Sequence, residues 1–535
     1  MMRVFIAAAA ALMLVACGQR TPAYEVEEKS IAQLQADLAS GVVTSEQLVQ
    51  AYLNRIAEID DAGHTLNSVL SLNQQALEQA RALDAERAAG QVRGPLHGIP
   101  ILLKDNIETV ENATTAGSLA LAQNMTGRDA PLVARLREAG AIILGKTNLS
   151  EWANIRSSAS TSGWSAVGGL TRNPYALDRN ACGSSSGSGS AAAASLAAIT
   201  IGTETDGSIV CPSSAAGLVG IKPTVGLVSR THVVPISHSQ DTAGPMGRSV
   251  SDVAAVLTAI AGTDAADAAT AEADARRADY SAALDVNALQ GRRIGVLRFM
   301  AGFHTGVDER FEAALEQMRA AGAEIVEIEA APAGMDALGA DELTILLAEL
   351  KTDLDAYLAT TPTQVTTRTL EQVIAFNTAT PAELALFGQD LFEQAQATQG
   401  VNDPRYIAAQ GRAARTARQM LDGLMQNNRV DALVAPTQGA AWVTDIVNGD
   451  HFVGGGASSL PAVSGYPHVT VPMGMVNGLP VGLSFLGEAW SEAKLLSFAY
   501  AYEQRANARV APTYVRSVED LEPLAGALRQ QAPSR

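Results

Sequence analysis

The chain has 535 residues, 47% of them hydrophobic and 18% charged, and a formal net charge of −18 at pH 7. That composition excludes a disordered chain and gives enough apolar material for a sizeable core in one or two domains. The negative charge, with no dense basic cluster against it, excludes nucleic acid as a partner.

Arg3 precedes an apolar run from Val4 to Ala16. The run is shorter than the ~20 residues a membrane-spanning helix needs, and residues 1–16 read as a signal peptide. It ends in Leu14-Val15-Ala16-Cys17-Gly18, which resembles the bacterial lipobox. The resemblance implies cleavage before Cys17, lipidation of Cys17, and export to a membrane-anchored position. Gly18 after the cysteine resembles outer-membrane sorting, which places the protein on the periplasmic face of a Gram-negative envelope with the lipid as its only membrane contact. Residues 17–29 are then the lipidated N-terminus and a short tether. Export puts Cys182 and Cys211 in an oxidising compartment that permits one bridge between them, and the sequence leaves that pairing open.

Ser30 and Gln33 form a capping-box pattern ahead of Leu34 and Leu38, with Gly41 placed to stop the helix. Thr44 and Gln47 repeat the pattern ahead of Leu48, Ala51, Tyr52 and Ile56. Short apolar runs then follow, Ile99 to Leu103, Ala141 to Leu144 and Leu196 to Ile201, and read as buried strands. Gly140 to Thr147 matches the spacing of a phosphate loop, but the four residues between its glycines are apolar and belong in a strand rather than in an amide-exposing turn.

Gly183-Ser184-Ser185-Ser186-Gly187 fits a nucleophile elbow centred on Ser185, with His451 or His468 as the base. An elbow must follow a strand, and Tyr175 to Asn180 is polar and turn-like. Ala191 to Ala198 is a compact helix-like run, which argues against a flexible Gly/Ser linker. Arg293 to Leu297, the helical spacing of Phe311, Leu315 and Met318, and Glu324 to Ile328 make a βαβ unit. About Met335 to Leu424 the chain is mainly helical and shows no identifiable chemistry. Ala432 to Val434, Val469 to Val471 and Val481 to Leu486 return to strands that rejoin the sheet. The fold class is α/β, and the seven histidines lack ligand spacing, so neither metal nor cofactor is expected.

The segments PLHGIPILLKDN from Pro95, GKTNLSEWAN from Gly145, CGSSSGSGSAAAA from Cys182, and GTETDGSIVCPSSAAGLVGIKPT from Gly202 resemble amidase signature enzymes in content and order. DTAGPMGRSVSDVA from Asp241 and the tail from GYPHVTVPMG to GLPVGLSFLG are similar too. The resemblance implies one catalytic domain over 30–525, with a large twisted mixed central sheet flanked by helices on both faces. It implies Lys104 as catalytic lysine, Ser184 as a bridging serine held through a cis peptide bond, and Ser208 as the acylated serine. The 24-residue separation of the two serines fits that register and leaves Ser185 and Ser186 outside the triad.

The chemistry agrees. A serine hydroxyl must lose its proton to a base as it attacks, and lysine can serve only when neutral. Bringing its pKa from ~10.4 to ~7 takes roughly 4–5 kcal/mol of bias, which burial beside Ile101 to Leu103 can supply. Backbone N–H groups of Thr205, Asp206, Gly207 and Ser208 are placed to form an oxyanion hole. Asp206 and Ser186 stand where the family frequently has glycine, and Val210 where it frequently has arginine. These variants resemble the bacterial peptide amidases, which remove the C-terminal amide of peptides and release ammonia. Other aliphatic or aryl amides are the nearest alternative substrates. A glutamine-dependent amidotransferase subunit is disfavoured by export and acidity, and a non-catalytic surface lipoprotein by the presence of all three triad residues.

Overall fold

Local rules set the entry into the fold. In the computed structural model, which describes residues 24–529, Ser30 and Gln33 form a reciprocal capping box on the helix Ile31–Ser40, and Gly41 ends it in a left-handed conformation. Thr44 and Gln47 do the same for the helix Ser45–Arg55. Leu34, Leu48 and Tyr52 are buried on these helices, and each of the two leucines contributes about 1.5–3 kcal/mol. The signal sequence, Cys17 and the start of the tether lie outside the described residues. No helix among the described residues is long and apolar enough to cross a membrane.

The strands are β1 (Val69–Leu72), β2 (Pro100–Lys104), β3 (Ile142–Thr147) and a two-residue hairpin of β4 (Trp164–Ser165) and β5 (Gly169–Leu170). They continue with β6 (Ile199–Glu204), β7 (Val219–Lys222), β8 (Thr242–Gly247), β9 (Arg293–Leu297) and β10 (Glu324–Ile328). The last three are β11 (Ala432–Pro436), β12 (His468–Val476) and β13 (Leu479–Leu486). All but the hairpin join one eleven-stranded mixed sheet in the order β1-β3-β2-β6-β8-β7-β12-β13-β11-β9-β10. Every residue of β2, β3, β6, β8 and β13 is buried. A strand buried along its whole length has both faces covered, which explains the apolar runs read at Ile99 to Leu103, Ala141 to Leu144, Leu196 to Ile201 and Val481 to Leu486. The expected βαβ unit is present: β9 and β10 pair in parallel across the helix Thr305–Ala320, and the late strands rejoin the sheet.

Two expectations shift. The helix expected over Ala191 to Ala198 spans Ser186–Ala193, and the following strand starts at Ile199 rather than Leu196. Serine and glycine are weak helix formers, yet a Cβ at Gly187 would collide with the backbone of Ser68 and Asn148. Close packing therefore selects small residues there against their intrinsic propensity. The region between β10 and β11 is helical, as expected, with helices Met335–Leu358, Leu370–Ala379, Asp390–Gln396 and Pro404–Asn428.

β2 runs parallel to both β3 and β6. The carboxyl ends of β2 and β6, at Lys104 and Glu204, thus lie on one edge of the sheet, where open α/β sheets place their ligands.

Candidate active site

Lys104 ends β2 with its side chain fully buried. Its Nζ donates to Ser184 Oγ at 2.7 Å, to Thr203 Oγ1 at 2.9 Å and to the Thr203 carbonyl at 3.2 Å. Burial pushes the amine down to about 7, against the opposing pull of Asp241 and Glu204. The group is therefore divided between neutral and charged forms near neutral pH.

Ser184 sits in the loop ahead of the helix Ser186–Ala193, and the Gly183–Ser184 peptide bond is cis. Its carbonyl accepts from the Ser150 N–H at 3.0 Å, and its hydroxyl is buried against Lys104. Ser208 lies in the turn between β6 and the helix Val210–Ala215. The Ser185 N–H donates to the Ser208 carbonyl at 3.2 Å, which ties the two serine-bearing segments together. A disulfide does so covalently, because Cys182 and Cys211 are bonded across a Cα separation of 5.9 Å. The pairing left open by the sequence thus joins the residue two before Ser184 to the residue three after Ser208.

The turn itself is held from both ends. Glu204 Oε2 accepts from the N–H groups of Ile209 and Val210 at 2.7 and 3.0 Å, capping the helix that follows Ser208. Thr205 Oγ1 donates to Asp241 Oδ1 at 2.6 Å, while Asp241 Oδ2 accepts from the N–H groups of Ile236 and Ser237. Burial raises Asp241 to about 6, with these hydrogen bonds acting in the opposite sense. Gly207 has φ +77°, a left-handed conformation that glycine adopts without strain. The N–H groups of Asp206, Gly207 and Ser208 find no acceptor among the described residues. Those free donors border a cavity of about 400 Å3 lined by Thr205, Asp206, Gly207, Ser208 and Gly183. Ile155, Ile236, Leu346 and Phe452 form its apolar wall. A carbonyl entering this cavity meets a hydroxyl and a set of free amides together, the arrangement that acyl transfer requires.

Other sequence matches fall elsewhere. Ser185 Oγ donates to the Thr203 carbonyl at 3.0 Å and accepts from its N–H at 3.2 Å, so this serine is built into the end of β6. His451 is exposed and bonded to Asp445, and His468 is buried in β12 beside Ser484. Burial and Lys222 push His468 down to about 3, and neither histidine lines the cavity. Lys146 of the phosphate-loop match is buried in β3, with Nζ 3.0 Å from Asp105 Oδ1.

Sequence reading missed the contribution of the helical region. Leu346 of the helix Met335–Leu358 walls the cavity, and Glu342 of that helix is buried and reaches Gln240 at 2.8 Å. A charged residue on a helix carries no such signal before the tertiary contacts are known. Nor did histidine spacing reveal that His238, Glu349 and Asp353 come together. Glu349 there accepts from Ser237, from the N–H and hydroxyl of Ser239, and from Tyr406, so its oxygens are engaged in holding the loop.

The family model described as Amidase matches residues 47–496. A probable amidase of Arabidopsis thaliana is 38% identical over 506 residues, covering 92% of this chain and 93% of that protein. The crystal structure of native peptide amidase from Stenotrophomonas maltophilia superposes with a TM-score of 0.86 at 52% identity, covering 91% of this chain and 99% of that one. A structure of the peptide amidase with the competitive inhibitor chymostatin gives 0.87 at the same identity and coverage.

Proposed function

The chain belongs to the amidase signature family and is an amide hydrolase; we propose that it cleaves the C-terminal carboxamide of peptides through a Ser-Ser-Lys triad. One observation carries this reading: a buried lysine amine, lowered to about 7, lies 2.7 Å from Ser184 Oγ, behind a cavity that Ser208 lines.

In the reading, Ser208 attacks the carboxamide carbon while Ser184 takes its proton and passes its own to neutral Lys104. The N–H groups of Asp206, Gly207 and Ser208, with the Thr205 segment behind them, stabilise the oxyanion. Collapse breaks the C–N bond, the proton returns from Lys104 through Ser184 to the leaving nitrogen, and ammonia departs. Water then attacks the acyl-enzyme by the same relay, releasing the carboxylic acid and restoring Ser208. The chain's own groups supply every proton transfer in this sequence.

The apolar wall of Ile155, Ile236, Leu346 and Phe452 supports a peptide or other acyl chain with apolar side chains, and the likeness to a peptide amidase supports the peptide. Aliphatic and aryl amides are the second reading, favoured by the same wall. Incubation of the purified chain with amidated peptides, their free acids, simple amides and aryl amides, with ammonia or amine release measured, tests it. Ammonia from the peptide amides at a kcat/KM well above the others supports the assignment, and preference for simple or aryl amides refutes the peptide reading.

The lipobox-like segment ending at Cys17 supports an exported, lipid-anchored protein. Expression in a Gram-negative host should place the wild type in the membrane fraction and Cys17→Ser in the soluble one. A soluble wild type contradicts the anchor.

A further inference from the structure

The variable helical region touches the oxyanion loop through one side chain. Glu342, on the helix Met335–Leu358, is only 8% exposed. One of its oxygens accepts from Gln240 Nε2 at 2.8 Å, and the same nitrogen lies 3.4 Å from the Thr205 carbonyl. The carboxyl groups of Glu342 and Asp206 are within hydrogen-bond reach of each other. Asp206 Oδ2 accepts from Ser459 Oγ at 2.9 Å, whereas its Oδ1 is buried without an N–H or hydroxyl donor.

Two carboxylates in contact repel, but one proton held between them makes a charge-assisted hydrogen bond and supplies the missing donor. We propose that Glu342 is a positioning residue for amide hydrolysis: its protonated carboxyl holds Asp206, and through it the oxyanion N–H groups of Asp206 and Gly207, in place. The proposal rests on the amidase reading of this site.

Burial and the facing Asp206 push Glu342 up to about 8, so the shared proton is present at neutral pH and leaves on the alkaline side. The other charged groups around it have partners of their own. Asp341, next on the helix, pairs with Arg412 of the helix Pro404–Asn428 at 2.6 Å. Glu349, farther along, is held by Ser239 and Tyr406 and lies 3.3 Å from His238, which also bonds Asp353. Asp241, behind the loop, is engaged by Thr205, Ile236 and Ser237. Asp206 is the charged group that faces Glu342. Once that proton is lost, two negative charges border the donors that must receive a third, so the oxyanion is disfavoured and the loop is pushed apart.

The test measures kcat and KM for an amidated dipeptide from about pH 6 to about pH 10 in wild type, Glu342→Gln and Glu342→Ala. Glutamine stays neutral and can still donate to Asp206. Wild-type kcat should fall as pH rises through about 8. Glu342→Gln should stay within about threefold of wild-type kcat near neutrality and lose that alkaline fall, while Glu342→Ala drops kcat about tenfold or more with a smaller change in KM. A glutamine variant as impaired as the alanine one, or one that keeps the wild-type alkaline limb, overturns the proposal.

Infrared pH titration keeps the proposal testable apart from the amidase reading. If the wild type releases no ammonia from any amide, that reading fails. The shared proton that the proposal needs is tested separately by a protonated-carboxyl band lost near pH 8: present in wild type and missing from Glu342→Gln upholds it, and identical spectra overturn the proposal whatever the activity. The wild-type and glutamine comparison also stands alone should Glu342→Ala not fold.

Discussion

Lys104→Met removes the amine while nearly preserving its buried volume. The shift from 10.5 to about 7 corresponds to ~5 kcal/mol of bias against the charged form, at about 1.4 kcal/mol per unit. Near pH 7 about half of the wild-type molecules carry the neutral base, and each further unit of acid costs about tenfold in kcat/KM. The variant should lose ~10²–10⁴ in kcat/KM at neutral pH, the usual contribution of a general base, and its residual rate should lack the acidic limb. Stability provides a second readout. A lysine depressed in the folded state contributes stability that is fully present above ~10.5 and lost as pH falls through ~7. Wild type should thus weaken across that window relative to Lys104→Met, by up to ~5 kcal/mol from this group, as read by urea denaturation at several pH values. A methionine variant that keeps the wild-type rate and acidic limb refutes the lysine base, and Lys104 is then a structural cation.

Ser208→Ala should abolish labelling by a serine-directed phosphonate, whereas Ser185→Ala should still be labelled at Ser208. The second variant should cost ~1–3 kcal/mol of stability, since it leaves the Thr203 N–H and carbonyl short of a partner. Mass spectrometry finding the adduct on Ser185 would restore the elbow reading. Replacing both Cys182 and Cys211 by serine opens a link with a sequence separation of 29 residues and should lower the unfolding free energy by ~3–4 kcal/mol on the chain-entropy account. Because both cysteines line the cavity, kcat/KM should fall as well, and a variant equal to wild type in both respects would show the bridge to be dispensable. Substituting His451 and His468 should leave the acidic limb in place, and its disappearance would move the base from Lys104 to a histidine.

The capping boxes at Ser30 and Thr44 were legible because capping is a contact between residues three apart, which sequence displays directly. The unit from Arg293 to Ile328 was legible for a similar reason: the hydrophobic period switches from strand to helix and back within one short stretch. Ser186 to Ala193 was not, since its helix depends on how tightly Gly187 packs on Asn148 and on Ser68, the latter more than a hundred residues away. The same holds for Glu342. Nothing in its local sequence distinguishes it from a solvated helix carboxylate, and only the fold sets it against Asp206. The pairing of Cys182 with Cys211 needed the distance from the loop ahead of Ser184 to the helix Val210–Ala215. The family resemblance singled out Lys104, Ser184 and Ser208 from their motifs, while the groups packed around them come from elements far away in the chain.

The three buried lysines of this sheet explain why only one is suited to act as a base. Lys146, on the neighbouring strand β3, has Asp105 at 3.0 Å and donates to Thr114 Oγ1 at 3.0 Å. Burial lowers this amine as well, but the carboxylate opposes the fall and engages the amine in an ion pair. Lys222 of β7 is lowered by burial to about 8, against Glu204 and Glu492, but among the described residues its Nζ donates to the Pro223 carbonyl and to no hydroxyl. Lys104 differs on both counts. The carboxylates that raise it, Asp241 and Glu204, are already engaged by Thr205 and by the amides of Ile209 and Val210. They act on the amine at a distance without locking its proton in place, and its direct partner is the hydroxyl of Ser184. The same two carboxylates fix the turn bearing Ser208, so a change that displaces either should disturb the lysine's protonation and the position of Ser208 together. Glu204→Gln tests this coupling: the helix cap is retained in part, one negative charge is lost, and the acidic limb of kcat/KM should move to lower pH. An unchanged limb with normal folding would show that Glu204 positions the turn without tuning the base.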